Sequence, residues 1–133
     1  MEILGLLGDG MWLAIQPLNL ALILVGVTLG LFIGAMPGLG SVNGVAILLP
    51  ITFLVPPGSA IIFLAAIYYG AMYGGAISSI TLGIPGASTA VATTFDGRPL
   101  ALNGRASLAL VTAALASFVG GTVANIFFTA FAP

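Results

Sequence analysis

The chain has 133 residues, 60% of them hydrophobic and 4% charged, with a net charge of −1. Soluble domains carry about 25% charged residues, so two arginines and three carboxylates cannot cover a water-soluble fold. The chain belongs in a bilayer, and its small net charge points away from nucleic acid. Neither cysteine nor histidine occurs, which removes the usual ligands and nucleophiles of metal and thiol chemistry.

The first 16 residues, MEILGLLGDGMWLAIQ, lack the basic start of a signal peptide. Glycines break their apolar pattern, which suits an interfacial segment with Trp12 at headgroup level; a frayed extension of the first span fits equally. Pro17 suits a first helical turn, where its missing N–H is harmless. From Leu18 to Met36 the chain is nearly all apolar; at 1.5 Å per residue this is about 28 Å, one spanning helix (17–36).

The stretch AMPGLGSVNG (35–44) then interrupts a chain with no charge between Asp9 and Asp96. Glycine and proline end helices. A helix broken in hydrocarbon leaves backbone groups unpaired at several kcal/mol each. Residues 41–55 follow; they make only about 22 Å of straight helix and contain Pro50. A re-entrant or broken helix over 37–57 is expected, and the length leaves open whether it crosses.

Pro56-Pro57-Gly58 opens a second span over 58–84, interrupted at Pro85-Gly86. After that break, residues 85–105 read as a short helix and a polar loop, with Asp96, Arg98 and Arg105 solvated. Both arginines in this loop place it on the cytoplasmic side. Residues 106–131 form the last span. The fold class is therefore all-α integral membrane, in a single domain: three spanning helices plus one or two short broken or re-entrant helices.

Two features carry the functional reading. After Gly40 and after Gly86 a short helix begins with unpaired N–H groups, and such ends attract anions. Ser41, Asn43, Ser88 and Thr89 can add hydrogen bonds, so Pro37, Gly38, Gly40, Ser41, Asn43, Pro85, Gly86, Ser88 and Thr89 form the candidate substrate site, suited to a carboxylate. The alternative is a pair of ordinary kinks. Tyr69 and Tyr73 share a helix face and are candidate cavity-lining residues, or members of an interfacial belt. Gly26, Gly30 and Gly34, like Gly70 and Gly74, recur every four residues, the spacing of closely packed membrane helices. An enzyme is not expected, because no span carries a carboxylate pair or histidine for acid–base work.

The ordered blocks GxxxGxxPGLG (30–40), LLPITF (48–53), IYYGAMYGG (67–75), IPG (84–86), ATTFDG (92–97) and GRASLAL (104–110) resemble the large membrane subunit of tripartite tricarboxylate transporters. The resemblance implies a secondary transporter for tricarboxylates or dicarboxylates in the bacterial inner membrane. It implies a small membrane subunit and a periplasmic solute-binding protein as partners, no cofactor, and Na+ or H+ as coupling ion. Family members run to several times this length and contain a related second half, so the chain is expected to be part of an inverted-repeat transporter. It departs from the family at Ser41-Val42-Asn43-Gly44, at Gly83 and at Ala87, which bears on substrate identity. A passive anion channel and a structural membrane module without transport activity are the alternatives.

Overall fold

Proline chemistry sets the first bend. A computed structural model describes residues Glu2–Phe131, with helix α1 over Glu2–Ile15 and α2 over Pro17–Ala35. Pro17 has no N–H, so the Leu13 carbonyl loses its i+4 donor. Asn19 supplies the replacement: its Nδ2 donates to Leu13 O at 2.6 Å, and the Gln16 amide also reaches that oxygen at 3.2 Å. Asn19 is fully buried. The initial segment is thus a regular helix set off from α2 at Gln16, not a frayed extension, and Trp12 is 72% exposed on it.

The dominant packing joins α2 to α4 (Pro57–Thr81). Gly26 lies against Phe63 and Ala66, Gly30 against the Ile67 carbonyl, and Gly34 against Ala71; in return Gly70 meets Val27 and Gly74 meets Leu31. The partners advance together along both helices, so α2 and α4 run parallel, backbone against backbone. A Cβ on Gly70 would stand 2.9 Å from Val27 Cα, and one on Gly26 2.9 Å from Ala66 Cβ. Lipid supplies no hydrophobic drive for this pairing, so dispersion and Cα–H···O contacts hold it. Ile67, Ala71 and Phe63 are buried beside the seam.

Parallel neighbours need a return leg between them. It is α3 (Gly40–Leu48) followed by a 3-10 segment over Leu49–Leu54. Gly44 packs on Ile33 near the end of α2, with its Cβ position 3.1 Å from that side chain. The 3-10 segment starts where Pro50 interrupts the α pattern, and Thr52 Oγ1 donates to Leu49 O at 2.6 Å. Its rise of about 2.0 Å per residue stretches the leg to roughly 25 Å, where a pure α-helix would give about 22 Å. The expected broken helix is present. Because α2 and α4 run parallel, the 37–56 segment runs back between the end of one and the start of the other.

The Pro85-Gly86 break differs. α4 ends as the Leu82 and Gly83 amides bond Ser78 O and Ser79 O, and Gly83 takes φ 75°, a left-handed conformation open to glycine. The chain then turns back along α4. Gly86 sits against Gly34 and Gly75, and a 3-10 turn (Ser88–Ala90) leads into α5 (Val91–Leu102). Along α5, Gly97 meets Ile80 and Arg98 donates to the Thr81 carbonyl, so α5 climbs beside the last turns of α4. Residues 82–102 enter and leave on one side.

Here the sequence expectation is corrected. Asp96 to Leu102 are helical, and only Asn103–Arg105 connect to α6 (Ala106–Phe131). Pro99 removes one bond, to the carbonyl of Phe95, and the lack of a side chain at Gly97 lets α5 dock on α4 despite it. α6 returns antiparallel to α4, joined by Tyr73, whose hydroxyl donates to Leu110 O at 3.1 Å.

Two outcomes are expected. Gly30→Leu drives a side chain into the Ile67 carbonyl; by the cost of overpacking it should lose about 1–3 kcal/mol or more, measured as a fall in the melting temperature of the detergent-solubilised protein. In whole cells, cysteines at Gln16 and Pro56 should be labelled by impermeant maleimide from one face and a cysteine at Asn103 from the other.

Candidate functional site

Both Pro-Gly breaks stop at the same depth. The α2 terminus at Gly34 touches Gly86, and Gly40 lies near the Gly86 carbonyl, 3.8 Å from its own Cβ position. Residues far apart in sequence are thereby neighbours, because α2 and α4 are in register. Gly38 and Gly40 take φ 89° and 70°, where a Cβ is strained. These two left-handed residues let the chain reverse from α2 into α3 within one turn, closed by Leu39 N to Met36 O at 3.3 Å.

Between the breaks lies an open-sided cleft of about 450 Å³. Gly38, Gly40, Ser41, Pro85, Gly86, Ser88 and Thr89 line it, with Leu39, Val42, Ala87, Tyr68 and Met72. No charged side chain is among them. α3 starts here and heads back along α2, whereas the Ser88–Ala90 turn and α5 start here and head the other way. Two helix starts diverge from one point. Among the described residues, the amides of Gly40, Ser41, Val42, Ser88 and Thr89 form no backbone hydrogen bond. A helix start with free amides is locally positive.

The candidate residues do not all meet there. Asn43 Nδ2 donates to Leu39 O at 2.6 Å on its own helix, and its exposed side chain is not part of the cleft wall. Pro37 shapes the turn without lining the cleft. Thr89 Oγ1 lies 3.7 Å from Met72 Sδ, and Ser41 is 6% exposed. Gly86 has a packing role as well: a Cβ there would collide with the Gly34 carbonyl and stand 2.8 Å from Gly75 Cα. Tyr69 and Tyr73 line a second groove of about 320 Å³ beside the cleft, between α4 and α6.

Tyr68 and Met72 also belong to the cleft. Their signal is a stripe on α4: Tyr68, Met72, Gly75 and Ser79 recur at i, i+4, i+7 and i+11. Gly75 sits 3.4 Å from Ala87 N at its Cβ position, and Ser79 Oγ lies 2.8 Å from Gly75 O and 3.0 Å from Ala90 O. The whole stripe therefore cradles the second break. Tyr68 stands edge-on to Tyr69, with ring centroids 6.2 Å apart.

Apolar helices of 19, 25 and 26 residues, a re-entrant segment and opposed helix starts around an uncharged cleft define a multi-pass membrane protein built as transporters are built. The chain belongs to the tripartite tricarboxylate transporter TctA family, whose model matches residues 20–133. This is a family of transporters, not of enzymes. Over all 133 residues the chain is 43% identical to an uncharacterized 52.8 kDa protein in the TAR-I ttuC' 3'region of Agrobacterium vitis. It covers 26% of that relative's length. No solved structure matches the chain.

The Arg98 contact generates a check on the re-entrant segment. Its guanidinium supplies a cation at the carbonyl end of α4 and covers Gly83, 3.3 Å from that residue's Cβ position. Arg98→Ala should lower stability by about 1 kcal/mol and increase proteolytic cutting between Leu82 and Ala87, read by limited digestion in detergent.

Proposed function

We propose that the chain is part of the membrane subunit of a secondary carboxylate transporter, with the cleft between the two Pro-Gly breaks as its contribution to the substrate site. The observation that carries this is the meeting of two amide-bearing helix starts around an uncharged cavity. Free N–H groups bind a carboxylate without a lysine or arginine. An anion held only by partial charges can leave again, which a transport cycle requires. The hydroxyls of Ser41, Ser88 and Thr89 add neutral donors, and Tyr68 and Met72 give the cleft an apolar wall for the carbon skeleton.

The remaining parts of this reading rest on family membership. Uptake runs on an ion gradient across the bacterial inner membrane, with Na+ or H+ as coupling ion. A periplasmic binding protein delivers tricarboxylate or dicarboxylate, and a small membrane subunit completes the assembly. Because the chain covers 26% of its relative, other segments complete the site, as expected where repeats meet at a central cavity.

Substitutions at Gly86 would test packing against Gly34 rather than binding, so Ser41 is the better probe. In the full-length subunit with its partners, Ser41→Ala should raise KM for carboxylate uptake several-fold, in keeping with about 1 kcal/mol for one hydrogen bond. Ser41→Asp should abolish uptake by placing a negative charge among the amides, with membrane insertion retained. Uptake by Ser41→Asp at the wild-type rate would refute the site. Equilibration without accumulation in wild-type vesicles bearing an ion gradient would favour a passive channel instead.

A further inference from the structure

The three spans use glycine differently. Every glycine of α2 and α4 has another element against its Cβ position: Gly26, Gly30 and Gly34 meet α4, Gly70 and Gly74 meet α2, Gly58 meets Leu13 and Gly75 meets Ala87. Gly120 and Gly121, side by side within α6, have open space there. Glycine weakens a helix interior relative to alanine. In α2 and α4 close packing offsets that loss, and on α6 nothing within the described residues does.

The pair belongs to a face. Ala109, Ala113, Ser117, Gly120, Gly121 and Ala124 fall on one side of α6, whereas Val111, Leu115, Phe118 and Ile126 fall on the other. The first half of the small face is in use: Ala109 is buried, and beside it Tyr73 donates to Leu110 O. Further along, the groove of about 320 Å³ opens between Gly120 and Gly121 on one wall and Tyr68 and Tyr69 on the other. Polar groups mark the same stretch. Thr112 and Thr122 donate to Leu108 O and Phe118 O on their own helix at 2.7 Å, and Asn19 and Asn43 bond backbone carbonyls at 2.6 Å. Ser117 and Asn125, one turn either side of Gly121, have no such partner among the described residues. An asparagine followed by Ile126, Phe127 and Phe128 in an apolar span needs one, because lipid offers no hydrogen bonds.

We propose that this face of α6 receives a transmembrane helix from the part of the subunit outside these 133 residues, with backbone contact at Gly120 and Gly121 and a hydrogen bond to Asn125. The size of the whole protein selects this occupant: the Agrobacterium vitis relative is matched over 26% of its length, so most of its sequence lies outside the matched stretch. Acyl chains suit the bulky face instead. The incoming helix carries small residues four apart, as α2 and α4 do for each other. Because the groove shares Tyr68, Met72 and Thr89 with the cleft, the same helix closes the open side of the cleft. The contact does not depend on what the cleft binds.

Photocrosslinking of the full-length subunit in native membranes tests this. Benzoylphenylalanine replaces either Phe128, one turn beyond Ala124 on the small face, or Phe118 on the bulky face. Irradiation at position 128 should join it to a peptide of the same polypeptide outside the present 133 residues, identified by mass spectrometry, at the mass of one subunit on a denaturing gel. Position 118 should give lipid adducts alone. Gly121→Leu should lower the melting temperature of the detergent-solubilised subunit by a few degrees, while Leu115→Met melts like wild type. Should Gly121→Leu fail to fold, the crosslink carries the test. Lipid adducts alone from position 128, a crosslink there to a second copy or to the small membrane subunit, or a Gly121→Leu protein melting like wild type would overturn the proposal. The expected crosslink beside normal uptake by Ser41→Asp would leave the helix contact standing and remove the anion site.

Discussion

The contact between the α2 and α4 backbones is the constraint on which the rest depends. Gly30 and Gly34 on one helix and Gly70 and Gly74 on the other bring the two chains within reach of each other's carbonyls. At that separation the helices cannot slide without a clash, so their register is fixed. Register then places Gly34 at the level of Gly75, and Gly86 closes into the gap between them. The second break is held against the first by the same small-residue packing that holds the helices. Adding one methyl group at any of these positions would act on the cleft, although none of them need touch substrate.

Parallel packing has a further consequence for the chain between the helices. A returning segment of 15 residues, Gly40–Leu54, has to match 19 residues of α2. It does so by changing from α to 3-10 geometry at Pro50, which lengthens the rise per residue. The cost of broken helices in hydrocarbon is met in two ways. Hydroxyls of Thr52, Ser78 and Ser79 donate to nearby carbonyls, and Arg98 covers the carbonyl end of α4. The amides at the helix starts are left free, and free amides rather than carbonyls mark an anion site.

Much of this was legible in the residues. Apolar runs and prolines located the three spans, and the four-residue glycine spacing marked the tight helix pair. The Pro-Gly motifs marked the breaks. What the residues did not reveal was direction: glycine spacing is the same for parallel and antiparallel neighbours, so the return of 37–56 along α2 could not be read from it. The composition around Asp96 and Arg98 misled for a physical reason. Gly97, Pro99, Asn103 and Gly104 are loop formers on average, but Gly97 is buried against Ile80 and tertiary packing keeps residues 96–102 helical. Asn43 carried the right chemistry at the right place in the chain, yet its position one turn into α3 lets it bond back to Leu39. Met72 was visible only once the second break was known to fold along α4.

The central claim is that one anion engages both breaks at once, through their amides. The direct measurement is a titration of the 15N-labelled full-length subunit with citrate and with succinate, following the backbone amides of Ser41, Val42, Ser88 and Thr89 by NMR. The account expects, for at least one of these acids, saturable shifts at both breaks that fit a single dissociation constant, with Gly120 and Gly121 of α6 unmoved. Shifts confined to one break, or two unrelated constants for the two, would contradict it.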